Sequence, residues 1–329
     1  MSKSEKYEPD LVSVIIPTYN RADCITKAID SVLAQTYKNY EIIIVDDGST
    51  DDTKQVLQAY IERRDIDYMY KENAGCATAR NAGIHKAHGE WIAFLDSDDR
   101  WHPEYLECQL KCLEYVHGKV SFANISFDFD GEMEFAEQNI SGTLKADDFC
   151  LVNDALEIAL VRNQLKCTLP GMVISRKLIQ HLGGFDERVF WASDRRFILK
   201  LATEVPFGYL NWKLVVADRT PERKRITKDL SHKAQLARNS FDVLNYAEVY
   251  FYCRKQSKHN IKKARYMLGF YLSRLAVDCC VDEDYDNARR FARDGVHFGG
   301  NLRTYARCIA VLFFPRLVRC LRKNHYSDT

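Results

Sequence analysis

The 329-residue chain contains no apolar run of about 18 residues, the length that marks a helix able to cross a bilayer. Its polar start, MSKSEKYEPD, also lacks the charged-then-apolar order of a secretory signal. Together these predict a cytoplasmic protein, peripheral at the inner face of a membrane if it touches one. Eleven cysteines are present, but an odd number at irregular positions without repeated CxxC spacing argues against a disulfide framework or a zinc site. Cys108 and Cys112 supply only two sulfurs on a predicted helix, and a metal site needs more ligands than that. No zinc-finger or RNP-type motif occurs, so no nucleic-acid partner is expected.

A large net charge is missing too: 47 Lys and Arg stand against 46 Asp and Glu, a formal +1. The balance hides a split. Residues 1–218 hold 24 basic against 35 acidic groups, a net −11, and residues 219–329 hold 23 against 11, a net +12. The basic tail predicts an anionic partner. Phospholipid headgroups or a lipid phosphate are favoured, because the acidic first half would repel a nucleic-acid backbone. At 46% hydrophobic and 28% charged, the composition is that of a globular protein, and the length exceeds one average domain. The expected division is a larger domain over 1–225 and a helical, basic region over 226–329.

Leu11 to Pro17 (LVSVIIP) and Tyr40 to Val45 (YEIIIV) are short, apolar, β-branched runs and read as buried parallel strands. Between them Ile25, Ile29, Val32 and Leu33 recur at helical spacing within 22–35. The pattern repeats with a helix over 52–63, a strand over 66–70, a helix over 76–87 and a strand over 91–95. This alternation predicts an α/β fold, a three-layer domain around a mostly parallel sheet. Such sheets bind ligands beyond the carboxyl ends of their strands. Here those ends carry Pro17-Thr18-Tyr19-Asn20, Asp46-Asp47-Gly48-Ser49 and Asp96-Ser97-Asp98-Asp99. Farther along, 120–127 and 172–175 read as strands and 194–202 as a helix. Everything after about residue 230 reads as helical, with a hairpin turning at VDEDYD.

Asp96 and Asp98, one residue apart at a strand end, form a hard-oxygen pair suited to a divalent cation bridging diphosphate oxygens. The same segment also reads as a turn, or as the cap of a helix starting near His102-Pro103-Glu104. Five segments in order, VSVIIPTYNR, IIIVDDGSTDDT, NAGCATARNAGI, GEWIAFLDSDDRWHP and GGFDE, closely resemble family 2 glycosyltransferases of the GT-A fold, over roughly residues 12–220. The resemblance implies an inverting enzyme that moves one sugar from a nucleotide-diphosphate sugar, a UDP-sugar in the first instance. The acceptor would be a hydroxyl of a cell-surface glycan or a lipid-linked precursor.

By that resemblance Pro17, Tyr19, Asp47, Arg80, Asp96 and Ser97 contact the nucleotide-sugar, and Asp98 with Asp96 holds Mn2+ or Mg2+. Gly184, Phe185, Asp186 and Trp191 lie on the acceptor side, and Asp194 is the catalytic base. Asp47 would accept a hydrogen bond from the nucleobase, leaving Asp46 to cap the turn that follows. Arg80 either faces the donor's sugar or diphosphate or lies on a solvated helix face. Asp186 is the alternative base. Family members usually carry Glu-Asp where this chain has Ser193-Asp194, a departure that bears on acceptor contacts more than on the base. Processive synthases of the family have a QxxRW motif and membrane spans; this chain has neither, so single-sugar addition is expected. Arg219, Arg223 and Arg225 fall where relatives keep a basic loop over the diphosphate. His232 is either a third metal ligand or a surface residue.

The stretch 302–323 sets Ile309, Ala310, Val311, Leu312, Phe313 and Phe314 among six Arg and Lys, with Pro315 interrupting it. It reads as an interfacial amphipathic helix or as a docking or dimer helix. Two other classes of function stay open. A nucleotidyltransferase of related architecture would need a Gly-rich, basic phosphate loop after the first strand, which IIPTYNRAD lacks. A sugar-binding or scaffold protein that kept the fold would show loss of the Asp96–Asp98 pair or of Asp194, and both are present.

Overall fold

The two apolar runs near the N-terminus become neighbouring parallel strands, Val12 opposite Tyr40 and Thr18 opposite Asp46. The computed structural model describes residues 7–129, 132–135, 145–146, 149–159, 168–189, 193–219, 232–255 and 260–326. The chain divides into two units, Met1–Arg223 and Lys224–Thr329.

The first unit begins β1 (Glu8–Thr18), α1 (Ile25–Leu33), β2 (Tyr40–Asp46), α2 (Thr53–Glu62), β3 (Asp67–Tyr70), α3 (Cys76–Lys86) and β4 (Gly89–Phe94). It continues through β5 (Asp99–Trp101), α4 (Tyr105–Tyr115), β6 (Val120–Phe129), β7 (Glu132–Phe135), β8 (Lys145–Ala146) and β9 (Phe149–Val152). It closes with α5 (Ala155–Ala159), β10 (Met172–Ser175), α6 (Arg176–Leu182), α7 (Ser193–Glu204) and β11 (Phe207–Asp218). One sheet runs β3-β2-β1-β4-β10-β6-β11-β9-β8, with β5 paired to β11 and β7 to β6.

The first four strands are parallel, as helical crossovers between them require. Beyond β4 the sheet is mixed. β10 comes back from the far half of the sheet and lies antiparallel to both β4 and β6. β11 is parallel to β6 and antiparallel to β5 and β9. The Asp96–Asp98 turn leads into β5 rather than directly into a helix; α4 starts at Tyr105 with Glu104 at its cap.

Side chains alternate across the strands and sort the core into two layers. Val14, Ile16, Ile42 and Ile44 pack with Ile25, Ile29, Leu57 and Leu106 of α1, α2 and α4. Ile15 turns to the other face and meets α3, which lies so low that a Cβ on Gly83 would stand 2.4 Å from Ile15 Cγ2. On this face Phe94 makes an edge contact with Phe185, centroids 5.4 Å apart, and Phe185 stacks on Phe197 of α7 at 4.3 Å.

The second unit is helical: α8 (His232–Lys255), α9 (Ile261–Val281), α10 (Tyr285–Phe298), α11 (Leu302–Phe313) and α12 (Pro315–Tyr326). The other four helices pack on α9. α9 and α10 form the expected hairpin, and Asp284 caps α10 by accepting from the Asn287 N–H at 3.2 Å. Their approach is close: a Cβ on Gly269 would lie 1.8 Å from the Gly299 carbonyl oxygen. Ala276, Ala288, Ala292, Cys308 and Val311 fill the centre. Pro315 opens α12 instead of breaking a longer helix, a position where its missing N–H has no intrahelical acceptor to lose. Among the described residues no helix is long and apolar enough to cross a membrane.

Candidate active site

The carboxyl ends of β1 and β2 are tied together where the Asp47 N–H donates to the Thr18 carbonyl at 2.8 Å. Asp46 forms the turn, as read from the sequence. It accepts from the Ser49 N–H and the Tyr68 hydroxyl, both at 2.8 Å. Asn20, in the left-handed region at φ +50°, braces this turn, accepting from the Thr50 N–H at 2.8 Å. Asp47 is buried and accepts from Lys71 Nζ at 2.5 Å and from the Ala74 and Gly75 N–H groups at 3.0 and 2.8 Å. The carboxylate expected to meet a nucleobase thus also anchors the loop entering α3, and a base would share oxygens that already carry these bonds. Pro17 lies on β1 opposite Val45, and Tyr19 stands exposed beyond the strand end.

Arg80 is not on a solvated helix face. It is buried, and its Nη2 donates to Asp96 Oδ1 at 3.0 Å, with its guanidinium carbon 5.5 Å from the Phe185 ring centroid. Its buried Nε meets no acceptor among the described residues. Burial opposes the charge, but the Asp96 and Asp194 carboxylates nearby, with the hydrogen bond to Asp96, outweigh it and hold the guanidinium protonated above its usual range. Burial likewise lifts the Asp96 carboxyl; Arg80 draws it back, and Asp98 and Asp194 push it up again. The structure therefore brings Asp194, in the first turn of α7, into the electrostatic neighbourhood of Arg80 and Asp96. Ser97 is buried between the two aspartates. Asp99 is no helix cap: it sits on β5, where its Oδ1 accepts from the Asp218 N–H at 3.2 Å. Burial, Asp96 and Asp98 hold its carboxyl well above the usual range.

In the loop expected to face the acceptor, Gly183 and Gly184 both adopt left-handed backbone, at φ +75° and +70°. Asn81 clamps the loop they introduce, accepting from the Phe185 N–H at 2.9 Å and donating to the Phe185 carbonyl and Glu187 Oε1 at 2.9 and 2.8 Å. Asp186 is held by Arg188 at 2.9 Å and Arg196 at 3.3 Å, and the hydrogen bonds from Arg188 bring its carboxyl down to about 2. A carboxylate so tied and so acidic is a poor base. Trp191, Arg223 and Arg225 lie outside the described residues. His232 opens α8, and its side chain lies outside them too. Arg219 stacks over Phe127 at 5.1 Å and draws down the Asp99 carboxyl.

Lys71, Asn81 and Cys76 escaped the sequence reading, since each lies in a helix or loop with no spacing that marks it. Burial raises the Cys76 thiol to about 11, with Arg80 drawing it down, so it contributes to the site as a neutral group.

Among the described residues no three His, Cys, Asp or Glu side chains gather closely enough to hold a metal alone. The donors present still fit a hard divalent cation. Asp96 and Asp98 supply carboxylate oxygens, with the Asp194 carboxylate in their electrostatic neighbourhood. Mg2+ sites of this kind take one or two carboxylates and fill the remaining positions with substrate phosphates and water.

Residues 13–159 match the family described as Glycosyl transferase family 2. The putative teichuronic acid biosynthesis glycosyltransferase TuaG of Bacillus subtilis is 49% identical over 119 residues, 35% of this chain and 47% of its own length. The Escherichia coli UDP-Glc:alpha-D-GlcNAc-diphosphoundecaprenol beta-1,3-glucosyltransferase WfaP is 41% identical over 121 residues, 37% of this chain and 48% of its own length. An uncharacterized glycosyltransferase of Rickettsia felis is 48% identical over 118 residues, 35% of this chain and 20% of its own length. The chain thus spans from a fifth to about half the length of these relatives. In fold, the structure of S. aureus TarS residues 1–349 with UDP-GlcNAc superposes with a TM-score of 0.66 at 18% identity, covering 95% of this chain and 92% of that one. The sheet described above is accordingly that of a GT-A fold, and residues 13–159 are similar to glycosyltransferase family 2.

Proposed function

We propose that the protein is an inverting, metal-dependent transferase that adds one sugar from a UDP-sugar to a hydroxyl of a cell-surface glycan or its lipid-linked precursor. The observation that carries this reading is the convergence of Asp194 with the Arg80–Asp96 pair, at the strand edge where Asp47 also lies. The relatives named for teichuronic acid biosynthesis and for a diphosphoundecaprenol-linked acceptor support the acceptor class, and the UDP-Glc in the second name supports the donor.

In this reading Asp194 takes the proton of the acceptor hydroxyl as its oxygen bonds to the anomeric carbon. The bond from that carbon to the nucleoside diphosphate breaks on the opposite face, so configuration inverts in one displacement. Arg80 fixes the Asp96 carboxylate and keeps further N–H donors for phosphate oxygens. Asp47, with Lys71 behind it, borders the nucleoside. Asp98 and Asp96 would hold a Mn2+ or Mg2+, which when bound would supply charge neutralisation for the leaving diphosphate.

The test combines a panel of nucleotide sugars with Mn2+ or Mg2+ and follows donor hydrolysis and thermal shift. Asp194→Asn is expected to lower turnover by about 10²- to 10⁴-fold while keeping the donor-induced shift. Turnover that survives in this variant removes the base assignment. Absence of stabilisation by any nucleoside diphosphate with metal removes the transferase reading itself.

A further inference from the structure

The last two helices carry an apolar face that the second unit leaves uncovered. Thr304, Cys308 and Val311 turn α11 inward, and all three are buried. The opposite stripe, Leu302, Tyr305, Ile309 and Phe313, follows the same helical spacing but points outward, with Leu302 and Phe313 85% and 71% exposed. At the junction Phe314 and Leu317 extend it, 61% and 57% exposed. A soluble helix ordinarily shows the reverse, an apolar stripe inward and charges outward.

The charge around this stripe has one sign. Between Asp294 and Asp328 the sequence holds no Asp or Glu and six Arg or Lys. Arg319 is engaged by Glu283 and Arg307 by Ser273 at 3.0 Å, whereas Arg303 and Arg316 are exposed beside the stripe. We infer that the α11–α12 face docks on an anionic phospholipid surface, the apolar stripe entering the headgroup boundary and the arginines meeting lipid phosphates. A second copy of this chain is the poorer occupant. A two-fold contact would set the cationic flanks of this stripe against each other, with no carboxylate in the segment to compensate. The inference does not depend on the sugar-transfer reading.

Flotation of the full chain with phosphatidylcholine vesicles, with and without phosphatidylglycerol, tests it. Binding is expected only with phosphatidylglycerol and is expected to fall as sodium chloride rises. The double variant Phe313→Asp, Phe314→Asp places its changes on exposed side chains, so its thermal melting and donor hydrolysis in solution should match the parent while flotation drops by roughly tenfold or more. Arg303→Glu with Arg316→Glu should cost roughly fivefold in partitioning for each charge removed. Flotation that survives the Phe pair, or a parent chain that ignores phosphatidylglycerol, overturns the inference. So does a sedimentation experiment in which the parent is a dimer that the Phe pair dissociates, which gives the face to a second copy.

Discussion

The Arg80 side chain carries more of the site than its place in the sequence suggests. Its planar fork can serve Asp96 and a phosphate oxygen together, and a lysine ammonium cannot reproduce that geometry. Arg80→Lys is therefore expected to lower kcat/KM by roughly 10- to 100-fold, the equivalent of one lost charged hydrogen bond, measured with saturating acceptor and varied donor. Asp186 offers a contrasting test through pH. Its carboxyl is held at about 2 in the folded chain, below the unfolded value near ~3.9, so its stabilisation is complete above about pH 4 and drains away as pH falls through about 2. Because Arg188 is largely exposed, solvent screening holds that contribution to about 1 kcal/mol or less. Asp186→Asn should melt lower than the parent near neutral pH, with the gap closing across the acid limb; a gap that stays constant down to the acid limit would contradict the assignment.

Two close approaches set element geometry. At Gly184 an alanine would meet both a left-handed backbone and the Asn81 Oδ1, 2.6 Å from the new Cβ. Gly184→Ala is expected to cost about 1–2 kcal/mol from the backbone alone, and to raise the acceptor KM more than the donor KM because the loop leaves its clamp. At Gly269 the obstacle is the Gly299 carbonyl, which cannot swing aside as a side chain would. Gly269→Ala should force α9 and α10 apart and lower stability by about 1–3 kcal/mol or more, read from denaturant titration of α-helical circular dichroism.

Across the whole molecule, legibility followed the strength of the local pattern. β1, β2 and β4 announce themselves because both faces of a central parallel strand are buried, giving unbroken runs such as VSVIIP and EIIIV. β11 does not: its register on β6 shifts between Leu210 and Lys213 and again before Val215, and these irregularities place Asn211, Trp212 and Lys213 where alternation would ask for a cleaner pattern. β5, three residues long, is too short to signal itself. The order of the acidic strand ends was readable, and so was the turn-forming role of Asp46. The burial of Arg80, the bonds from Lys71 and Gly75 to Asp47 and the Asn81 clamp were not, because each joins segments that only folding brings together. Those three, with Gly83 seated on Ile15, have a mechanical consequence. α3 is pinned at its entrance, on its flank and on its underside, and a rigid rod fixed at three points off one line keeps no freedom to pivot. The helix that presents Arg80 travels with the sheet as a single part, so any hinge that opens and closes this site lies elsewhere.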